Sequence, residues 1–189
     1  MGVDEVLLPP GFTWPISIIR SPVEGATVLT GTTVTITGLA SDAVGGTVAR
    51  VEVSVDGGAT WNLATGTTAW SYDWTPATPG PATIKSRGVD DSGNVQDPPA
   101  EITVTVRTAV TIRVPSEQLT IQSAINVAAF GDTVLVAPGT YVENINFGGK
   151  PINVTSENGP QVTFIDGGNA NTVVSFTSGE GRDSVLNGF

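Results

Sequence analysis

The stretch "GDTVLVAPGTYVENINF", Gly131 to Phe147, decides the fold of the C-terminal half of this chain. It contains a strand, a Pro-Gly turn and a second strand, and it has no histidine, cysteine or lysine. A segment of this kind offers backbone structure and few side chains for chemistry. The fold to which this segment belongs must therefore be inferred from the residues on either side of it.

An amphipathic helix is predicted directly before this stretch, in "TIQSAINVAAFGD". The apolar residues recur at positions i, i+3, i+4 and i+7, which is the spacing of one helix face. These residues are Ile121, Ala124, Ile125 and Ala128. Thr120 is a suitable N-cap and Gly131 a suitable C′ residue. The helix is therefore expected to cover a core with one apolar stripe.

Short strands are predicted after the helix, each bounded by turn residues. They are Thr133–Val136, Asn144–Phe147, Ile152–Thr155, Val162–Ile165 and Val173–Phe176. Similar strands recur at about 20 to 22 residues, for instance "INV" from Ile152 and "VVSF" from Val173, and a period in this range is typical of solenoids.

The first half of the chain has a different pattern, in which apolar residues alternate with polar ones. The alternating sets are Val34 and Ile36; Ala49, Val51, Val53 and Val55; Trp70, Tyr72 and Trp74; Ala82 and Ile84; and Ile102, Val104 and Val106. Alternation marks antiparallel strands with one buried face. Roughly seven such strands separated by Gly-rich and Asp-rich turns indicate a β-sandwich.

The strings "VARVEVSVDGGATWNLA" and "WSYDWTPATPGPATIKSRGVDDSGNVQD" resemble the bacterial Ig-like, fibronectin-type modules of large secreted proteins. The resemblance implies a sandwich that serves as a spacer or adhesive unit. We therefore predict three segments: a linker or artificial start at residues 1–15, an Ig-like β-sandwich at residues 16–107, and a second domain at residues 108–189.

The motif order from Thr120 to Asn169 resembles the start of a right-handed parallel β-helix of the pectin-lyase-like kind. The resemblance implies that the predicted helix caps the N-terminal end of the β-helix and that "GDTVLVAPGTYVENI" is its first coil. The expected fold is all-β: an Ig-like sandwich followed by a truncated β-helix with a short capping helix. We expect that the chain is cut from a longer protein, or that a neighbouring or identical chain covers the last coil.

Composition excludes several functions. The chain has 189 residues, a net charge of −10 and only eight basic residues, so it cannot present the basic patch that nucleic acid or an anionic membrane requires. It has no cysteine and no histidine, which excludes disulfides, thiol nucleophiles and Ser-His-Asp catalysis. No apolar run is long enough to span a membrane as a helix.

Enzymes of the resembled β-helix family use carboxylate pairs for hydrolysis, or a basic residue beside calcium for lyase chemistry. The acidic residues available here are Asp132, Glu143, Glu157, Asp166, Glu180 and Asp183. None forms an i, i+2 pair on one strand face, and the family's catalytic residues lie on later coils. We therefore expect no catalytic, cofactor-binding or metal-binding residue in this chain.

Two weaker binding hypotheses remain. "VDDSGNVQD" offers Asp90, Asp91, Asn94 and Asp97 as oxygen ligands for calcium. The alternative, which we favour, is a hairpin turn in which Gly93-Asn94 adopts positive φ. Trp70 and Trp74 are expected in the sandwich core. Trp14 and Trp61 are the candidates for contact with a glycan.

The sequence thus predicts a non-catalytic structural or adhesive protein of a bacterial or archaeal cell surface, with a spacer, display or assembly role. Its partners would be a second chain at the last coil or a carbohydrate. The alternative is the N-terminal portion of a carbohydrate-active β-helix enzyme, a lyase or hydrolase, whose active site lies downstream.

Overall fold

The computed structural model describes residues 14–42 and 46–189. Residues 1–13 of the predicted linker and residues 43–45 of a predicted turn lie outside this range. The chain divides into two compact units with the boundary between Thr108 and Ala109.

The described residues of the N-terminal unit form nine strands in two sheets. The strands are β1 (Ile16–Ser21), β2 (Thr27–Leu29), β3 (Val34–Ser41), β4 (Val48–Ser54), β5 (Asn62–Leu63), β6 (Thr65–Gly66), β7 (Ala69–Trp74), β8 (Gly80–Asp90) and β9 (Ala100–Arg107). One sheet has the order β1-β3-β7-β6 and the other β2-β9-β8-β4-β5. All pairs are antiparallel except β2 and β9, which run parallel.

This strand order confirms the predicted Ig-like sandwich. The Ig arrangement places four strands in one sheet, here β1, β3, β7 and β6, and three in the other, here β4, β8 and β9. Strands β2 and β5 are added at the edges of the second sheet. The two inner faces bury one hydrophobic cluster that includes Ile36, Val51 and Ile84. Trp70 lies in this cluster, and Trp74 packs against it, as the alternation in β7 predicts.

One position in β4 departs from the predicted alternation. Ala49 was expected inside with Val51 and Val53, but it is exposed. The register against β8 shifts between Val48 and Arg50, so a bulge inserts one residue at this point. Val48 therefore packs against the core in place of Ala49, because a shift of one residue moves side chains to the opposite face.

The core of the sandwich leaves no room for a side chain at Gly38. A Cβ atom built there would overlap the carbonyl oxygen of Ile18 and the indole ring of Trp70. Gly38 lies opposite Trp70 in the β3–β7 ladder. The indole ring therefore occupies the space that any larger residue at this position would need.

Residues 109–189 form one helix and eight strands. The elements are β10 (Thr111–Val114), α1 (Ile121–Val127), β11 (Thr133–Val136), β12 (Gly139–Val142), β13 (Ile145–Asn146), β14 (Asn153–Ser156), β15 (Thr163–Asp166), β16 (Val174–Ser175) and β17 (Val185–Asn187). They make three small sheets, with the orders β10-β11-β14-β17, β12-β15 and β13-β16, and every pair is parallel.

The strands of this unit visit the three sheets in rotation. After α1 the chain passes through β11, β12 and β13, returns to the first sheet at β14, continues through β15 and β16, and returns again at β17. Equivalent residues stack in register, so that Val134 lies between Ile112 and Val154. Successive passes of the chain therefore build one continuous core column instead of hairpins.

Helix α1 lies against the core of this unit. All four residues of the predicted stripe are buried, and they share a cluster with Val134 and Val154. Thr120 is the N-cap, as predicted, and its side chain accepts from the Ser123 amide at 3.0 Å. The prediction for Gly131 is wrong: the helix ends at Val127 with Ala128 as its C-cap, and Gly131 has a φ of 81° in the turn before β11.

The predicted spacing of strands also needs correction. The period of 20 to 22 residues predicts that the segments beginning at Ile152 and Val173 are equivalent, but they belong to different sheets. Asn153 pairs with Val185, whereas Val174 pairs with Ile145. Loops of unequal length separate the later strands, so a constant period does not identify their partners.

Replacing Gly38 with alanine should destabilise the N-terminal unit by about 1–3 kcal/mol, because the added Cβ overlaps backbone and indole atoms in a packed core. All four tryptophans lie in this unit, so urea denaturation followed by tryptophan fluorescence reports on it directly. The control is Thr37→Ser on the other face of β3, which should change stability by less than about 0.5 kcal/mol. Equal midpoints for both variants would contradict the packing argument.

Candidate functional site

The region around α1 brings together most of the polar side chains of the C-terminal unit. Glu143 follows β12, and its two carboxylate oxygens accept the amide hydrogens of Ile121 and Gln122 at 2.9 and 2.8 Å. The first amides of a helix have no partner within the helix. The Glu143 carboxylate satisfies two of them, and its negative charge complements the helix dipole.

The opposite end of α1 is held by Lys150. Its Nζ atom donates to the carbonyl oxygens of Ile125, Asn126 and Ala128 at 2.8, 2.6 and 3.0 Å. These are carbonyls of the last helical turn and the C-cap, which lack partners within the helix. The sequence analysis missed Lys150, because a single lysine after a Gly-Gly turn carries no local signal for this contact.

Gln122, in the first turn of α1, joins the helix to β13 through its side-chain amide. Its side-chain oxygen accepts from the Asn146 amide at 2.7 Å, and its side-chain nitrogen donates to the Asn146 carbonyl at 3.1 Å. The side-chain amide of Gln122 thus makes the two hydrogen bonds that a neighbouring strand would make to the main chain of Asn146. Together with Glu143 and Lys150, it fixes both the position and the rotation of α1.

Two further carboxylates bind main-chain amides in the same unit. Asp132 is buried and accepts from Val110 at 2.9 Å and from Ala129 at 2.8 Å. Glu180 accepts from Gly149 and Ser178, both at 2.8 Å. The hydrogen bond from the Gly149 amide, assisted by that from Ser178, lowers the pKa of Glu180 below its ordinary value. Both carboxylates therefore tie loops to strands by accepting main-chain amides.

The remaining acidic candidates have simpler surroundings. Asp166 accepts from the Gly168 amide within its own turn at 2.9 Å. Glu157 lies 3.7 Å from the guanidinium group of Arg113, and Asp183 is exposed. Four of the six acidic candidates thus accept main-chain amides. Across residues 14–42 and 46–189, acidic side chains do not gather in a group of three or more that could hold a metal ion.

The turn after β8 uses its carboxylates in the same way. Asp90 accepts from the amides of Ser92 and Asn94 at 2.9 and 2.7 Å and from the side chain of Asn94 at 2.7 Å. The Asn94 side chain contributes most to lowering the pKa of Asp90. Asp91 accepts from the Thr47 hydroxyl at 3.0 Å. These contacts describe a turn that connects β8 to β9, which is the interpretation we favoured over calcium.

One detail of that turn was predicted incorrectly. Gly93 has a φ of 88°, as expected, but Asn94 does not adopt positive φ. Asn94 instead stays where both its amide and its side chain can reach Asp90. The side-chain contact outweighs the backbone preference of asparagine for the left-handed region.

The two glycan candidates lie in different surroundings. The guanidinium carbon of Arg87 lies 3.9 Å above the ring of Trp61, and the same guanidinium group pairs with Glu52 at 2.8 Å. One face of Trp61 is therefore covered by a cation–π contact, which leaves less of the ring for a sugar. Trp14 is 42% exposed. Contact of either residue with a glycan stays a prediction.

The surface at which association was expected contains the apolar residues of the last coil. Phe176 is 45% exposed, and its ring stacks on the buried ring of Phe147 with 4.4 Å between the centroids. Leu186 and Phe189 are partly buried against the same core. Association of a second chain at these residues stays a prediction.

Comparison with known proteins identifies the N-terminal unit. Residues 15–85 match the family model of the bacterial Ig domain. No curated protein is significantly similar to the chain in sequence. Within the described part of the chain, no helix has the length and apolar character needed to cross a membrane.

Three solved structures illustrate the similarity. Fibronectin(III)-like modules of CbhA from Clostridium thermocellum are 24% identical, with a TM-score of 0.40, over 48% of this chain and 94% of theirs. The PKD domain of an M14-like peptidase from Thermoplasmatales archaeon SCGC AB-540-F20 is 15% identical, with a TM-score of 0.42, over 50% and 97%. The family 28 exopolygalacturonase of Yersinia enterocolitica is 9% identical, with a TM-score of 0.34, over 76% and 32%. The match to the bacterial Ig domain therefore rests on residues 15–85 alone, and the fibronectin(III)-like modules and the PKD domain are structural neighbours of about half of the chain.

Replacing Glu143 with alanine should destabilise the C-terminal unit by about 1–2 kcal/mol, because two amides at the start of α1 lose their acceptor. Hydrogen exchange at Ile121 and Gln122 should accelerate relative to the wild-type chain. Asp183→Ala removes an exposed carboxylate from the same unit and should leave these amides unchanged. Unchanged exchange in the Glu143 variant would show that the carboxylate does not hold the helix.

The Asp90 turn should make the sandwich less stable in acid. The folded pKa lies below the ordinary value of 3.8, so the stabilisation is complete above that value and is lost as the pH falls toward the folded pKa. Urea denaturation should show that the wild-type chain is more stable than Asp90→Asn at pH 7 and that the difference shrinks below about pH 4. A difference that is constant from pH 7 to pH 3 would contradict this assignment.

Proposed function

We propose that this chain is a non-catalytic structural segment of an extracellular surface protein. In this proposal an Ig-like module leads into the capped first coils of a right-handed parallel β-helix. The bacterial Ig-like match supports the first part, because modules of this type are typical of extracellular structural and adhesive proteins. The role is that of a spacer that carries or displays other parts of the protein.

Three observations support the β-helix interpretation of the C-terminal unit. Its strands rotate through three parallel sheets, and equivalent residues stack in register. The apolar stripe of α1 covers the core beside the first coil. An open end of stacked coils would expose apolar side chains and unpaired strand edges. A helix that is held at both ends by Glu143 and Lys150 is a suitable cover for such an end.

The observation that carries the spacer role is the parallel pairing of β2 with β9. Tension from the N-terminal side is borne first by β1, which precedes β2 and pairs with β3, and it reaches β2 once β1 has yielded. Tension from the C-terminal side reaches β9. Because the two strands run parallel, this tension pulls them past each other and loads their hydrogen bonds together. An antiparallel pair loaded from its open end would lose its bonds one at a time.

Residues on either side of β2 also bond to β9, and we call the whole bonded contact the β2–β9 seam. The Gly25 amide donates to the Thr103 carbonyl at 2.8 Å, and the Thr105 amide donates to the Ala26 carbonyl at 2.8 Å. Beyond β2, the Thr30 amide donates to the Arg107 carbonyl at 2.9 Å. The Glu24 carboxylate accepts from the Thr103 amide at 2.8 Å. A short strand thereby acquires a longer bonded contact with β9.

A second candidate function is the front part of a carbohydrate-active β-helix enzyme. The stacked parallel strands suit this function as well, because such enzymes place their catalytic groups on later coils. The engagement of Asp132, Glu143 and Glu180 with main-chain amides supports the non-catalytic proposal for the residues present here. Polysaccharide degradation by a longer form of the protein would favour the enzyme.

The spacer proposal predicts that the Ig-like unit resists force. In single-molecule pulling from the two termini of the full chain, this unit should unfold in a distinct force peak. Glu24→Ala should lower the peak, because it removes one acceptor from the β2–β9 seam. Glu101→Ala is the matched control, since it removes a carboxylate from β9 that pairs with Lys85 away from β2.

Two outcomes would count against the proposal. If the unit extends without a force peak, the parallel seam does not resist tension and the spacer role fails. If Glu24→Ala and Glu101→Ala lower the force equally, general destabilisation explains the effect and the seam is not the resisting element.

A further inference from the structure

The first strand of the parallel unit has one edge that pairs with no other strand. Strand β10 bonds to β11 on one side only. The amides of Thr133 and Ala137 donate to the carbonyls of Val110 and Val114. Bonding groups of alternate residues point to opposite sides of a strand. Thr111 and Arg113 therefore direct their amides and carbonyls toward the edge that pairs with no other strand of the described residues. Arg113 is the one that lies next to the chain leaving β10.

The chain immediately after β10 folds back onto these two groups. The Arg113 amide donates to a carboxylate oxygen of Glu117 at 2.9 Å. The Arg113 carbonyl accepts from the amide of Glu117 at 2.9 Å and from the amide of Gln118 at 3.1 Å. Both main-chain groups at the centre of the edge are therefore bonded within the same chain.

Proline reinforces the block at the next position. Pro115 follows β10 directly and would continue the same edge after Arg113. It has no amide hydrogen and cannot donate to an added strand. The edge thus offers an incoming strand neither the Arg113 groups nor a donor at residue 115. We call residues 115–118 the edge guard.

We propose that the edge guard is an autoinhibitory contact which prevents the first strand of the parallel unit from pairing with a second copy of this chain. Glu117 is its central residue, because its side chain and its amide together reproduce both hydrogen bonds that a neighbouring strand would make to Arg113. An unguarded edge of this kind is a template for strand addition between molecules. The guard therefore keeps this end of the parallel unit closed, independently of the spacer role and of any contact at the last coil.

The physical case for a second copy rests on the edge itself. An edge in which Arg113 presents both its amide and its carbonyl is complementary to the same edge of another copy in antiparallel orientation. In the intact chain each copy also carries the Glu117 carboxylate at this edge, so two guarded edges would bring like charges together. Removing the carboxylate removes the bonded contact and the repulsion at the same time.

The test compares four forms of the full chain. Glu117→Ala and Glu117→Ser both remove the acceptor for the Arg113 amide. Both are made because one of them could fail to fold, and the other would still give a result. Glu117→Gln keeps a side-chain oxygen and should retain the guard. Glu157→Ala is the matched control, because it removes an acidic partner of the Arg113 side chain and leaves the main-chain contacts intact.

Light scattering after size-exclusion chromatography should show that Glu117→Ala and Glu117→Ser dimerise at about tenfold lower concentration than Glu157→Ala. Glu117→Gln keeps the acceptor but loses the charge, so it should dimerise less readily than Glu117→Ala and more readily than the wild-type chain. Because the chain has no cysteine, Arg113→Cys on β10 reports where the copies meet. In the proposed antiparallel pair the two residues 113 lie directly opposite each other, with Cα atoms about 5.5 Å apart, which is within disulfide range. Combined with Glu117→Ala it should form disulfide dimers on oxidation, and alone it should not.

Hydrogen exchange supplies a measurement on the wild-type chain. The Arg113 amide should be protected at low concentration, although it lies on an unpaired edge, and should exchange faster in dilute Glu117→Ala. Free exchange of Arg113 in the wild-type chain would overturn the proposal. So would equal association of Glu117→Ala, Glu117→Ser and Glu157→Ala, or dimers of the Glu117 variants that Arg113→Cys does not cross-link.

Discussion

The packing of α1 on the parallel strands is the contact on which the C-terminal unit depends. Ile121, Ala124 and Ile125 fill the core beside β11 and β14. A seven-residue helix has little stability of its own, so it needs partners outside itself. Glu143 supplies acceptors at its start and Lys150 a donor at its end. Burial and end-capping together convert a short, weak helix into a fixed cover for apolar strands.

The same solution recurs in both units: a carboxylate accepts main-chain amides where the chain must turn or close. Asp90 does so in the Ig-like unit, and Asp132, Glu143 and Glu180 do so in the parallel unit. An ionised carboxylate is a strong acceptor with no donor of its own. A chain without cysteine can fix its loops in this way without disulfides. Part of the acidic composition thus serves to hold the main chain in place.

The two units also show two ways of handling strand edges. In the Ig-like unit three of the four edge strands are short: β5 and β6 have two residues each and β2 has three, whereas β1 has six. Short edges offer little to an incoming strand. The parallel unit has a longer first strand, and there the chain folds back onto Arg113 to block it. A protein displayed at high local concentration would need such protection, since its copies meet often.

The sequence by itself determined the local features of both units. Alternation identified the buried faces of β3, β7 and β9, and the i, i+3, i+4 spacing identified the face of α1 that is buried. These features depend on residues a few positions apart, so periodicity is enough to find them. Only the tertiary structure decided the bulge at Ala49, the pairing of β14 with β17, and the contacts of Glu143 and Lys150 with the helix ends. Each of these depends on groups that lie far apart in the chain or on one inserted residue, and main-chain hydrogen bonding and core packing select them only when the whole unit closes.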